Sequence, residues 1–161
     1  MGPLLIVWHS ATGGTRALAE AAAAGAAAEG NILLRHTEDA TAEDVLAAAG
    51  LIFATPETLA AIAGPMKTFF DRTYYPALGR IEGRPYAAII CAGSDGENAA
   101  RQIARIATGW RLRAVADPLI VRTGAQTPEA IAAPKTIAAD DLTRAQMLGQ
   151  AMAAGLALGV F

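Results

Sequence analysis

Short apolar runs alternate with longer, alanine-rich stretches along the whole chain, and this alternation limits the fold more than any other feature. The apolar runs are nearly continuous, which is typical of strands covered on both faces. They predict strands over Leu4–His9, Asn31–His36, Leu51–Thr55, Pro85–Ala92 and Leu112–Val121. The stretches between and after them predict helices over Gly14–Ala28, Thr41–Ala49, Gly64–Leu78, Asp95–Arg111 and Asp140–Leu158. Strict alternation of five strands and five helices predicts an α/β protein with a parallel sheet between two helical layers.

Single residues sharpen several of these boundaries. Thr41 and Asp140 stand where helix N-caps are expected, and Pro65 falls in a first helical turn, where its missing N–H costs least. Asp117-Pro118 interrupts the fifth predicted strand. The small residues of the last helix, such as Gly149, permit close approach of another helix or of the sheet, and packing on the chain's own sheet is the expectation.

Length and charge narrow the possible classes of protein. The 161 residues fit one domain, 1–161, and 53% apolar residues supply a sizeable core. A net charge of −2 argues against a nucleic-acid partner, because such proteins carry basic patches. No apolar run is long enough for a membrane span, and the start lacks the basic segment of a signal peptide. Cys91, the only cysteine, has no disulfide partner, so we expect a reducing, cytoplasmic setting.

In an open parallel sheet, ligands bind beyond the carboxyl ends of the strands. The long connection 122–139 leaves the fifth strand at that end and is therefore expected on the ligand side. Thr127-Pro128-Glu129 can open one short helical turn within it. Two interpretations stay open, a lid over a ligand and a plain surface loop.

The first loop, Ser10-Ala11-Thr12-Gly13-Gly14-Thr15, joins a strand to a helix and offers hydroxyls and glycines at the helix N-terminus. Free N–H groups there can bind a phosphate without a lysine. The chain has neither the Walker A lysine motif nor the three-glycine motif of dinucleotide-binding Rossmann proteins. The loop resembles the flavodoxin pattern Ser/Thr-x-Thr-Gly-x-Thr, with a Leu-Ala pair following at Leu18-Ala19. The resemblance implies that Ser10–Thr15 hold the phosphate of FMN; the simpler alternative is a glycine-rich turn capped by Thr15.

A second stretch is similar to the flavin loop of flavodoxin-like reductases. Thr55, Pro56, Glu57, Thr58 and Leu59 match the positions that line the isoalloxazine ring in that group. Many relatives have an aromatic residue after the proline, and its absence removes ring stacking and lowers the expected FMN affinity. The Lys67–Arg72 element that follows is interpreted as structural, with Met66, Phe69 and Phe70 facing the sheet and Asp71 and Arg72 tying the helix to nearby loops.

A third stretch, Gly93, Ser94, Asp95 and Gly96, matches the loop that approaches the pyrimidine edge of FMN in the family. It is also a helix start, where Ser94 or Asp95 can serve as N-cap. The same segment nearly fits the nucleophile elbow of α/β-hydrolases, Gly-x-Ser-x-Gly. A hydrolase of that order needs a histidine after the serine, and His9 and His36 both precede it.

The remaining reactive residue types predict no chemistry of their own. His9 and His36 lack further ligands for a metal site, and Cys91 is interpreted as an inert buried thiol. Trp8 and Trp110 are assigned to the core or to an interface rather than to a flavin platform.

Together the three loops resemble the flavodoxin family, including its NAD(P)H-dependent FMN reductase and quinone reductase relatives. That family implies a three-layer αβα sandwich with strand order 2-1-3-4-5, FMN as cofactor, NAD(P)H as co-substrate, and a quinone or similar small electron acceptor. It also implies a homo-oligomer, since such reductases are often dimers or tetramers. FMN carries the redox chemistry, so no residue is assigned a catalytic role.

Two alternatives to a reductase remain. One is a flavodoxin-type electron carrier, although such carriers are usually more acidic and often have a glycine in the second loop, which Thr55–Leu59 lacks. The other is a flavodoxin-like module that has lost FMN.

Overall fold

The computed structural model describes the whole chain, residues 1–161. Seven strands form the sheet: β1 (Leu4–Trp8), β2 (Ile32–His36), β3 (Gly50–Thr58), β4 (Ala61–Ile62), β5 (Pro85–Ala92), β6 (Arg113–Ala114) and β7 (Leu119–Arg122). Six helices accompany them: α1 (Gly14–Ala27), α2 (Ala42–Ala47), α3 (Gly64–Ala77), α4 (Glu97–Gly109), α5 (Pro128–Ala132) and α6 (Ala139–Leu158).

The strand order is β2-β1-β3-β5-β6, and every neighbouring pair on this path is parallel. β7 also pairs in parallel with β5, beyond β6 on the same edge. The predicted fifth strand is therefore two short strands, because Asp117-Pro118 lies between them and proline has no N–H to donate. With these two counted as one, the predicted 2-1-3-4-5 order is confirmed.

β3 continues three residues beyond its expected end at Thr55 and turns back into the antiparallel strand β4. Glu57 pairs with Ile62 and Thr58 with Ala61, so the second loop is a tight hairpin rather than an irregular loop. This was not predicted, since neither Leu59 nor Ala60 is a usual turn residue.

The helix caps show which local signals were correct. Thr41 forms a capping box: its hydroxyl accepts from the Asp44 N–H at 3.1 Å, and the Asp44 carboxylate accepts from the Thr41 N–H at 3.0 Å. The Asp140 cap was wrong, because α6 begins one residue earlier with Ala138 as N-cap. Asp140 instead lies in the first turn, where its charge favours the helix dipole.

Apolar side chains cover both faces of the sheet. On one face Met66, Phe69 and Phe70 of α3 are buried with Trp110, as expected, and Phe70 and Trp110 pack edge to face. Arg72 donates to the carbonyls of Thr37 and Ala40 at 2.8 and 2.7 Å, which confirms its role in tying α3 to a neighbouring loop, whereas Asp71 pairs with Lys67 of the same helix at 2.7 Å.

Helices α1 and α6 cover the other face and approach each other closely. A Cβ at Gly149 would lie 1.9 Å from the Ala22 carbonyl oxygen, and one at Gly25 would lie 2.0 Å from that of Gln146. Gly149 therefore packs against α1, not against the sheet as expected. None of the six helices combines the length and the apolar character that crossing a bilayer requires.

Candidate functional site

A cleft of about 420 Å³ opens at the carboxyl ends of β1, β3, β5 and β7. This is where a parallel sheet presents its ligand site, and the volume is in the usual range for small-molecule ligands. Each of the three loops identified from the sequence contributes to its wall. Eleven of the fifteen predicted site residues line it; the exceptions are Gly13, Thr55, Asp95 and Gly96.

The first loop contributes Ser10, Ala11, Thr12, Gly14 and Thr15 to the cleft. Gly13 is the N-cap of α1 and has φ +95°, a conformation that residues with a Cβ rarely adopt. The Gly13 N–H donates to Ser10 Oγ at 3.0 Å, which curls the loop on itself. The helix has no side-chain cap, so its first N–H groups keep their partial positive charge towards the cleft.

Two buried groups show how tightly this loop packs. A Cβ at Gly14 would lie 2.8 Å from the Cys91 Sγ, so only glycine fits beside the thiol. Thr15 is 1% exposed and lines the cleft, and its hydroxyl has no hydrogen-bond partner other than a weak interaction with the Cys91 thiol. A buried hydroxyl without a partner is costly, and a ligand oxygen in the cleft would satisfy it. Burial raises the pKa of the Cys91 thiol, in line with the expected inert thiol.

In the second loop, the side chains of Thr55 and Glu57 form hydrogen bonds with backbone groups of the protein. The Thr55 hydroxyl is buried; it accepts from the Ala63 N–H at 3.2 Å and donates to the Pro56 carbonyl at 3.0 Å. The two carboxylate oxygens of Glu57 accept from the Gly96 N–H at 2.8 Å and the Ala99 N–H at 3.1 Å. Glu57 thus joins the second loop to the third and occupies the N-terminus of α4.

Leu59 and Ala60 form the two-residue turn of the hairpin, and both have positive φ, +52° and +60°. Non-glycine residues in this region store strain of about 1–3 kcal/mol each. The turn is held from α4, where the Asn98 amide donates to the Ala60 carbonyl and the Gln102 amide oxygen accepts from the Ile62 N–H. As a result Leu59, 97% exposed, stands at the rim of the cleft.

In the third loop, Gly93 and Ser94 line the cleft, whereas Asp95 and Gly96 lie behind it. Gly96, not Ser94 or Asp95, is the N-cap of α4, and it has φ +94°. Gly93 packs against the start of the 122–139 connection, since its carbonyl accepts from the Gly124 N–H at 2.8 Å. Neither histidine lines this cleft, so the structure places no histidine base beside Ser94.

The 122–139 connection lies on the ligand side, as expected, and its Thr127-Pro128-Glu129 segment opens α5. It contributes Thr123, Ala125, Ile131 and Lys135 to the cleft, and no sequence motif pointed to any of these four residues. The Lys135 backbone N–H donates to the Thr12 carbonyl at 2.8 Å, so the connection reaches back to the first loop. The available signal was that Lys135 is the only cation between residues 123 and 139.

Three more unassigned residues, Ala60, Cys91 and Ala92, complete the wall, each adjoining an assigned loop. His9 and His36 have ring centroids 5.6 Å apart, and no cluster of three metal-ligating side chains includes them. Burial, with a smaller contribution from nearby His36, lowers the pKa of His9 against a smaller rise from Glu38, which favours the neutral form of its ring.

Comparison with known proteins identifies the family of this chain. Residues 35–125 match the family of NADPH-dependent FMN reductases, and this segment is more than half of the sequence. The chain belongs to the NADPH-dependent FMN reductase family. The matched segment of this family includes the second and third loops, whereas the first loop lies outside it.

Relatives of this FMN reductase family member point to the same fold. The flavodoxin of Aquifex aeolicus (strain VF5) is 37% identical over 98 residues, which are 60% of this chain and 53% of that protein. The chain thus spans about half the length of this curated relative. An archaeal flavodoxin structure aligns with TM-score 0.77 at 20% identity, covering 96% of this chain and 98% of that one. The flavodoxin, WrbA-like protein from Agrobacterium tumefaciens aligns with TM-score 0.78 at 19% identity, covering 99% of both. The flavodoxin-like fold expected from the sequence is confirmed.

Proposed function

We propose that residues 1–161 form a single FMN-binding domain, and that the protein is an oxidoreductase passing reducing equivalents from NAD(P)H to a quinone or similar small acceptor. One observation carries the proposal: the uncapped N-terminus of α1 lies in the same cleft as the buried Thr15 hydroxyl, which has no nitrogen or oxygen partner within the protein. Donors that lack partners within the protein are what a phosphate group requires.

The residues present fit FMN along the whole cleft. The phosphate would be held by Ser10–Thr15, where N–H groups and hydroxyls converge. The ring would lie between the hairpin residues Pro56–Leu59 and the third-loop residues Gly93 and Ser94. Leu59 and Ile131 are exposed aliphatic side chains at this cleft, and they would cover a ring face without aromatic stacking.

Bound FMN would supply the redox chemistry by accepting a hydride and delivering electrons to the acceptor. The protein's own residues would bind and orient the ring and exclude water from it. Glu57 is the only carboxylate lining the cleft, and both its oxygens already accept backbone N–H groups. It is therefore a positioning residue for the two ring loops rather than an acid or base, and no residue is assigned a catalytic role.

NAD(P)H as the electron donor is supported by membership of the NADPH-dependent FMN reductase family. An electron carrier without a substrate of its own is the second candidate, and the flavodoxin of A. aeolicus favours it. The strained Leu59-Ala60 turn, pinned to α4 at two points, favours the enzyme. A turn held in this way has less freedom for the peptide flip that carrier flavodoxins make at a glycine.

The deciding experiment mixes FMN-loaded protein with NADH or NADPH and menadione, and follows nicotinamide absorbance with FMN alone as the control. We expect multiple turnovers that require the protein. No turnover, together with a stable long-wavelength absorbance during photoreduction, would establish the carrier instead. Protein that fails to bind FMN in a fluorescence titration would overturn both and leave a module that acts through contacts.

A further inference from the structure

The only basic side chain that lines the cleft is Lys135, and it comes from the 122–139 connection rather than from a predicted flavin loop. Its backbone N–H holds it to the Thr12 carbonyl at 2.8 Å. Its Cβ would lie 3.3 Å from a Cβ placed on Gly14. Main-chain and side-chain contacts thus both place Lys135 against the first loop.

The Lys135 ammonium still has a donor to offer. It donates to the Ile131 carbonyl at 2.8 Å and to the Ala133 carbonyl at 2.6 Å, at the end of α5. An ammonium has three N–H donors, so one remains for a ligand in the cleft. Its charge also reaches the floor of the first loop, because it lowers the pKa of Cys91 against the larger rise caused by burial.

The charge of a phosphate group would be compensated only in part without Lys135. A phosphate monoester carries nearly two negative charges at pH 7, whereas a helix N-terminus contributes about half a positive charge. No other cation compensates from within the cleft: Arg16, the nearest on α1, is exposed and paired with Glu20 at 2.8 Å. The sequence predicted a phosphate site without a lysine, but the fold brings the positive charge of Lys135 to the same cleft.

We propose that Lys135 pairs with the phosphate of FMN, so that the site combines the N–H groups of α1 with one ammonium from the connection. This inference rests on the proposed FMN function. It also assigns the 122–139 connection a role, since α5 and the Lys135–Thr12 contact hold the lysine beside the first loop.

The test compares FMN with riboflavin, which has the same ring and no phosphate. In Lys135→Met we expect the FMN dissociation constant from flavin fluorescence quenching to rise about tenfold, as for loss of one charge-assisted hydrogen bond. Riboflavin affinity should stay within about twofold of the unaltered protein. The salt dependence of FMN binding should become shallower, because one ion pair is lost.

The chain offers a matched control, because Lys67 is its only other lysine and pairs with Asp71 at 2.7 Å outside the cleft. Lys67→Met should leave both affinities unchanged, and Lys135→Arg should retain most of the FMN affinity. An equal loss for FMN and riboflavin would show that Lys135 only holds α5 in place, and would overturn the proposal. Unchanged FMN affinity in Lys135→Met would also overturn it, whereas unaltered protein that binds neither flavin would overturn the FMN function itself.

Discussion

The N-termini of helices α1 and α4 have the same backbone geometry but different electrostatic environments. Each follows the carboxyl end of a parallel strand, and each has a glycine N-cap with almost the same backbone, φ 95° and ψ −15° at Gly13, φ 94° and ψ −14° at Gly96. Neither cap residue provides a side chain. At α4, however, the Glu57 carboxylate accepts two of the first N–H groups, whereas at α1 no carboxylate does so.

The N-termini of α1 and α4 look alike in the sequence, but this difference suits them to different ligands. The open terminus of α1 is suited to an anion, because no carboxylate occupies it, its N-cap residue offers no side-chain hydrogen bond, and the Thr15 hydroxyl has no oxygen or nitrogen partner. The terminus of α4 is already neutralised, which suits a neutral ring edge. The comparison therefore supports the proposal that the FMN phosphate would lie at the first loop and the ring near the third.

The largest expected effect comes from placing a carboxylate at the open terminus. Thr12→Asp should weaken FMN binding at least about a hundredfold, since Thr12 lines the proposed phosphate site and two like charges in one small site repel each other by several kcal/mol. Ser94→Asp, at the third loop, should change FMN affinity less than about fivefold. Flavin fluorescence titration measures both, and circular dichroism checks the folds. Equal losses in the two variants would contradict the distinction between the termini.

The next effect comes from opening α4. Glu57→Ala leaves the Gly96 and Ala99 N–H groups without their acceptor, which should cost about 2–3 kcal/mol of unfolding free energy. For a chain of this size we expect the melting temperature to fall by roughly 5–10 °C. Added sulfate should recover part of the loss by binding the vacated terminus.

Glu82→Ala is the control for opening α4, because Glu82 is a half-exposed carboxylate that makes only a long ion pair with Arg111, at 3.5 Å. We expect its melting temperature to stay within about 1 °C of the unaltered protein. A Glu57→Ala melting temperature equally close to that of the unaltered protein would show that Glu57 does not stabilise the α4 terminus.

The smallest effect tests the packing under the first loop. Gly14→Ala puts a methyl group 2.8 Å from the Cys91 Sγ and should cost about 1–2 kcal/mol in urea unfolding. Adding Cys91→Ala should recover much of this loss, because the sulfur that causes the clash is gone. Gly96→Ala should not be rescued in this way, since φ +94° strains any residue with a Cβ. A double variant no more stable than Gly14→Ala alone would place the cause of the strain elsewhere.

Local signals predicted the layers of the fold well. Apolar runs located the parallel strands, with β6 and β7 predicted as one, and the Thr41 N-cap and the buried face of α3 were as expected. The errors came from contacts between distant residues: the hairpin of β3 and β4 is held by Gln102 and Asn98 of α4, which no local pattern reveals. The same applies to Gly149, whose packing partner is Ala22 of α1.

For the candidate site, too, local sequence signals predicted one part and missed the residues that come from distant segments. Sequence patterns predicted three ligand-binding loops, and residues of all three line one cleft in the structure. Their role in holding FMN stays a prediction. Lys135 and Ile131 were missed because they lie in a connection without a motif, more than 110 residues after the first loop.

By itself the sequence determined the alternation of strands and helices and the approximate starts of α1 and α4, and hence the edge of the sheet where the three loops lie. These follow from periodicity and backbone preference, which act over a few residues. Only the tertiary structure decided which helix terminus stays open, because Glu57 reaches α4 across 39 positions of sequence and Lys135 reaches the first loop across more than a hundred. Electrostatic interactions depend on distance in space, and the fold alone sets that distance.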